Sequence, residues 1–120
     1  MIENGKKLLI NGEEWTIYFP RMAGDKKLES CDGYTDWTKR AIVVCDLQSD
    51  DASIADLDEY ERKVLRHEII HAYLFSCGLG HGSGSVDAWA VNEEMVDFFA
   101  FNGVKIYNLW VKAGALPKNG

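Results

Sequence analysis

At 120 residues the chain has room for one hydrophobic core, so residues 1–120 are expected to form a single domain. Hydrophobic content of 47%, with 12% aromatic residues, excludes a disordered chain and calls for an aromatic-rich core. Thirteen Lys and Arg against nineteen Asp and Glu leave a net charge of -6, which argues against nucleic acid or an anionic membrane as partner.

Met1 to Lys7 lacks the apolar centre of a signal peptide, and no apolar run approaches the roughly 20 residues of a membrane span. Cys31, Cys45 and Cys77 are odd in number and widely spaced, as expected of reduced thiols. The expected location is the cytoplasm.

Leu8-Leu9-Ile10 and Trp15 to Phe19 flank Asn11-Gly12, a pair suited to the positive φ values of a type I′ turn, which predicts a hairpin closed off by Pro20. Tyr34 to Trp37 and Ala41 to Cys45, either side of Thr38-Lys39-Arg40, predict a second β region. The polar, acidic stretch from Asp46 to Ala55 reads as a loop. Asp56 with Glu59 forms a capping-box pattern, and Leu57, Tyr60, Val64, Leu65, Ile69, Ala72 and Phe75 recur at helical spacing until Gly78. Leu79 to Ser85 is a Gly- and Ser-rich loop. A second helix is predicted from about Val86 to Phe101, capped by Asp87 and interrupted by Gly103, with a short amphipathic segment from Val104 to Ala113. The fold class is therefore α+β: a small antiparallel or mixed sheet, then two helices.

The first helix carries His67-Glu68-Ile69-Ile70-His71. His residues at i and i+4 stand one turn apart on one face, so both imidazoles reach a single Zn²⁺, while Glu68 lies beside them as a general base. Val64 and Phe75 flank that face, so the His pair is expected to point inward. A catalytic zinc takes three protein ligands, which leaves one to find. Glu93 is a candidate on the second helix, with Asp97 one turn on to accept a hydrogen bond from a ligand His, and Glu94 replaces Glu93 if the helix phase differs. His81, in the Gly-rich loop, is the second candidate. Cys77 stands at the spacing at which metzincins place their last ligand, but Leu74 stands where that resemblance would require a chain-turning Gly, so Cys77 is expected to be a small buried residue. Tyr34, Tyr73 and His81 are the candidate stabilisers of a developing oxyanion.

Asn92-Glu93-Glu94-Met95-Val96-Asp97 resembles the glutamate zincins, the thermolysin-like class, in which that Glu is the third ligand and that Asp orients a ligand His. His67 to Phe75 with His81-Gly82 resembles the SprT-type proteases, which would make His81 the ligand instead. More widely, Gly33 to Thr38, Leu65 to Ala72, Cys77-Gly78-Leu79 and Trp89 to Phe98 resemble a group of small phage- and prophage-encoded zinc-metallopeptidase-like proteins, similar in turn to the ImmA/IrrE peptidases. The resemblance implies a minimal zincin-like fold with an active-site helix and a second, ligand-bearing helix.

The expected activity is zinc-dependent hydrolysis of peptide bonds in a specific protein substrate. Ala41 to Cys45 is expected to form the sheet edge along which an extended peptide adds as a strand. The competing reading is a phage-type protein-binding factor that keeps the zincin fold without turnover.

Overall fold

The structure, a computed structural model, describes residues 2–47, 56–78 and 93–118, without the side chains of residues 93, 96 and 97. The elements follow one another as β1 (Lys6–Ile10), β2 (Glu13–Tyr18), β3 (Gly33–Asp36), β4 (Ala41–Val44), α1 (Leu57–Ser76) and α2 (Glu93–Ala113). Two 3-10 turns, Met22–Gly24 and Lys26–Glu29, lie between β2 and β3. The architecture is α+β, a four-stranded mixed sheet followed by two helices.

Asn11 and Gly12 join β1 to β2 with φ values of 48° and 84°, the paired positive angles that the Asn-Gly turn requires. β3 and β4 form a second antiparallel pair, and β4 runs parallel to β2, giving the order β1-β2-β4-β3. Ala41 to Val44 is thus an inner strand, contrary to the expectation that it forms the edge. All four of its residues are buried, and pairing with β2 on one side and β3 on the other uses both of its hydrogen-bonding edges. The edge strand beside α1 is β3.

The two faces of the sheet carry separate cores. On one, Leu8, Ile10, Trp15, Ile17, Ile42 and Val44 pack with Leu65, Ile69, Ala72 and Tyr73 of α1 and with Ile106 and Leu109 of α2. Each fully buried aliphatic side chain there contributes on the order of 1.5 to 3 kcal/mol. On the other, Leu28 from the second 3-10 turn covers Ala41, Val43 and Cys45, with Tyr34 against them.

α1 begins where the Asp56 carboxylate accepts the Glu59 amide at 3.1 Å, half of the predicted capping box. Glu59 does not return the bond; its carboxylate accepts the Lys118 amide at 2.9 Å. The helix ends at Ser76 ahead of Gly78, whose φ of 78° suits a residue without Cβ. Cys77, at that end, is exposed rather than buried.

α2 runs unbroken through Gly103, where an interruption was predicted. A glycine in a helix interior costs about 1 kcal/mol, and Phe98, Ile106 and Leu109 on either side of it pack into the shared core and outweigh that cost. The predicted start at Val86 and the Asp87 cap lie outside the described residues. Among the described residues no helix is long and apolar enough to cross a membrane.

Candidate metal and catalytic site

The helix period places the three motif residues. Successive residues turn by about 100°, so His67 and His71 lie on the far side of α1 from Leu65, Ile69 and Ala72, while Glu68 falls between the two sides. Both His are accordingly exposed and Glu68 is buried, 6% exposed. The inward-pointing His pair is thereby corrected: Val64 and Phe75 are only half-buried and mark the flank of the helix, not its core face.

The imidazoles converge. His67 Nε2 and His71 Nε2 are 3.2 Å apart, with ring centroids at 4.8 Å and planes at 71°. Two nitrogens bound tetrahedrally at 2.0 to 2.1 Å from one zinc stand about 3.3 Å apart, so the pair as found fits a shared metal ion. The same spacing also permits one hydrogen bond when one Nε2 carries a proton.

Glu68 reaches toward the sheet. Thr35 on β3 donates its hydroxyl to Glu68 Oε1 at 2.8 Å and also lies 3.0 Å from the Glu68 main-chain oxygen. The contact depends on Gly33, two residues earlier and so on the same face of the strand. A Cβ at Gly33 would stand 2.7 Å from Val64 Cγ1 and 2.8 Å from the Val43 oxygen, so only glycine lets β3 come this close to α1.

One cavity opens on His67 and Glu68, and a second lies about one helix turn beyond His71. The first, of about 240 Å³, is lined by Asp32, Gly33, Tyr60, Val64, His67 and Glu68, among others. In its wall the Tyr60 hydroxyl donates to Asp32, and that bond, followed by burial, raises the phenol above its ordinary range. The other, of about 290 Å³, lies past the opposite end of β3 and is lined by Trp37 and Phe75 with Trp15, Glu13 and Arg40. Phe75 stands one turn beyond His71, and its ring stacks on Trp37 at 6.4 Å and 26°. β3 lies between the two cavities, and among the described residues it pairs only with β4.

Both tyrosines considered as stabilisers stand elsewhere. Tyr34 alternates to the opposite face of the sheet, where its hydroxyl donates to Asp25 and Lys27 Nζ lies 4.9 Å from the centre of its ring. Burial, then the Asp25 contact, pushes its phenol up to about 12. Tyr73 is 1% exposed in the core, with its hydroxyl donated to Asn102 Oδ1 at 2.6 Å. Neither faces the His pair. His81 lies outside the described residues, as do the side chains of Glu93 and Asp97; Glu94 is exposed on the first turn of α2. Among the described residues no three His, Cys, Asp or Glu side chains gather as a metal-binding group.

Thr35 is the site residue that sequence reasoning missed. Its signal was available in part: a bare glycine in a strand marks close approach, and the residue two positions on shares that face. The helix that approaches was not readable locally. No protein-family model matches the sequence, and no curated protein or solved structure is found to match it.

Proposed function

We propose that the chain is a zinc-dependent metallopeptidase of zincin-like fold that cleaves a specific protein substrate. One observation carries the reading: two imidazole nitrogens converge to 3.2 Å on an exposed helix face while Glu68, between them in sequence, is held by the sheet. His67 and His71 are the metal ligands, with Glu93 as the third and Asp97 orienting a ligand His. Support for Glu93 comes from the sequence pattern Asn92-Glu93 to Asp97 that follows the His-Glu-x-x-His helix.

Zinc held there supplies a Lewis acid that acidifies water and polarises a carbonyl. Glu68 takes the proton of the attacking water and delivers it to the departing amine, so a single carboxylate serves as base and then acid. The outer edge of β3 offers peptide groups with which an extended substrate pairs as an added strand, its side chains entering the cavities at either end. A protein partner is further supported by the apolar stripe of α2, where Phe101 is 86% and Val104 73% exposed. Three free cysteines accord with a cytoplasmic location.

The test measures metal first. Elemental analysis is expected to find about one zinc per chain, and zinc at about 100 times its Kd is expected to stabilise the fold by about 2.7 kcal/mol in a thermal melt. Glu68→Gln is expected to keep the metal and lose about 10²- to 10⁴-fold in cleavage of the partner captured from host lysate. Glu93→Ala should weaken zinc binding far more than His81→Ala; the reverse ranking assigns the third ligand to His81. Failure of wild type to bind zinc overturns the reading, and capture of one protein by wild type and Glu68→Gln with cleavage by neither identifies a non-catalytic binder.

A further inference from the structure

We propose that Thr35 is a positioning residue that keeps the Glu68 carboxylate off the metal and so preserves it as a base. The proposal rests on the zinc reading of the His pair. Two His and one carboxylate are a complete ligand set for catalytic zinc, and Glu68 is the carboxylate nearest both His in sequence. A Glu68 that swung onto the metal would fill the position the reaction needs and remove its own base.

The structure shows what opposes that swing. Glu68 does not form a three-ligand group with His67 and His71. Its Oε1 is occupied at 2.8 Å by the Thr35 hydroxyl, and a bond from a neutral donor to a charged acceptor is among the stronger ones available to a side chain. Thr35 is itself well fixed. Its β-branched side chain has restricted χ1, it sits on a strand paired Thr35 to Ile42, and its hydroxyl also lies 3.0 Å from the Glu68 main-chain oxygen. The close approach allowed at Gly33 brings the hydroxyl within range of a helix 33 residues away in sequence. The edge strand thus serves both as the template for substrate and as the tether of the base.

The experiment uses Co²⁺ in place of zinc, because its visible absorption reports the ligand set, together with zinc competition and cleavage of the partner captured from host lysate. Wild type and Thr35→Ser, which restores the donor, are expected to share one Co²⁺ spectrum. Thr35→Val, which keeps the shape without the donor, is expected to change the spectrum and bind zinc about 10-fold more tightly as Glu68 joins the ligands. Its kcat should fall about 10- to 100-fold with KM unchanged. Thr35→Ala, smaller but also without the donor, repeats the measurement in case the valine disturbs the strand. Adding Glu68→Gln to either variant should return the wild-type spectrum, an outcome that simple loosening of the strand does not produce. A Thr35→Val spectrum identical to wild type overturns the proposal and leaves the zinc reading intact; absence of any Co²⁺ binding by wild type overturns both.

Discussion

Glu61 and Glu68 are the two carboxylates that α1 buries, and each receives a donor from the sheet side of the molecule. For Glu61 the donor is the Leu47 amide at 2.8 Å, just past β4. Burial nevertheless raises its pKa above the ordinary 4.5, a tendency that the Leu47 bond opposes and the charges of Asp46 and Asp58 reinforce. A carboxylate whose pKa is raised on folding binds more protons in the folded than in the unfolded state, so its ionisation opposes folding at neutral pH and that opposition disappears on acidification. Wild type is therefore expected to gain stability relative to Glu61→Gln as pH falls through the raised folded value toward 4.5. Urea denaturation of both proteins between pH 7 and 4 measures it, and a difference that does not change with pH refutes it. Any constant offset from the buried amide does not affect the slope.

At the scale of the element, the start of α1 is tied to the end of the chain. Asp56 caps the helix, and its two carboxylate oxygens also lie 3.0 and 3.1 Å from Lys118 Nζ. The Glu59 amide chiefly, with Lys118, holds the Asp56 carboxyl below its ordinary 3.8. A depressed carboxylate pKa gives stability that is present above the unfolded value and is lost as pH falls through the folded one. Asp56→Ala is expected to lower Tm at pH 7 by on the order of 5 °C, with the gap closing below about pH 4. Asp56→Asn, which keeps the cap acceptor but not the charge, should recover most of the loss. Equal loss in both variants would assign the effect to the Lys118 ion pair instead of the cap.

At the scale of the molecule, two arginines fasten the helices to each other. α2 closes in a Schellman arrangement, with Gly114 at a φ of 69° and the Ala115 amide bonded to the Trp110 oxygen at 2.9 Å. The carbonyls that follow turn back to α1. Arg66 Nη1 donates to the Ala115 oxygen at 2.8 Å, and Arg62 Nη1 donates to Leu116 at 3.1 Å and Gly114 at 3.3 Å. Ala115 is fully buried, so Arg66→Met leaves its carbonyl without a partner and is expected to cost about 1 to 3 kcal/mol in chemical denaturation. Because Arg66 precedes His67 directly, zinc affinity should be measured in the same variant. Unchanged affinity with lowered stability places the contact in the scaffold, whereas a parallel loss of affinity shows that docking of α2 also sets the proposed metal site.

What the sequence alone determined is what short-range chemistry decides. Asn11-Gly12 needed only its own permitted φ values, Asp56 an amide three residues on, Gly78 a helix end, and the His67 to His71 spacing a single turn of α1. The α+β order of elements followed from the periods of the apolar residues. Tertiary structure decided whatever depends on partners far away in the chain. Apolar residues on both faces of Ala41 to Val44 did not say which strands would flank it, and the parallel pairing with β2 put it inside and left β3 at the edge. Packing of Phe98, Ile106 and Leu109 carried α2 through Gly103. The outward turn of the His pair, the placing of Tyr34 and Tyr73 away from it, and the grip of Thr35 on Glu68 arose from which face of α1 the sheet covers, a choice made by the whole core rather than by any five residues.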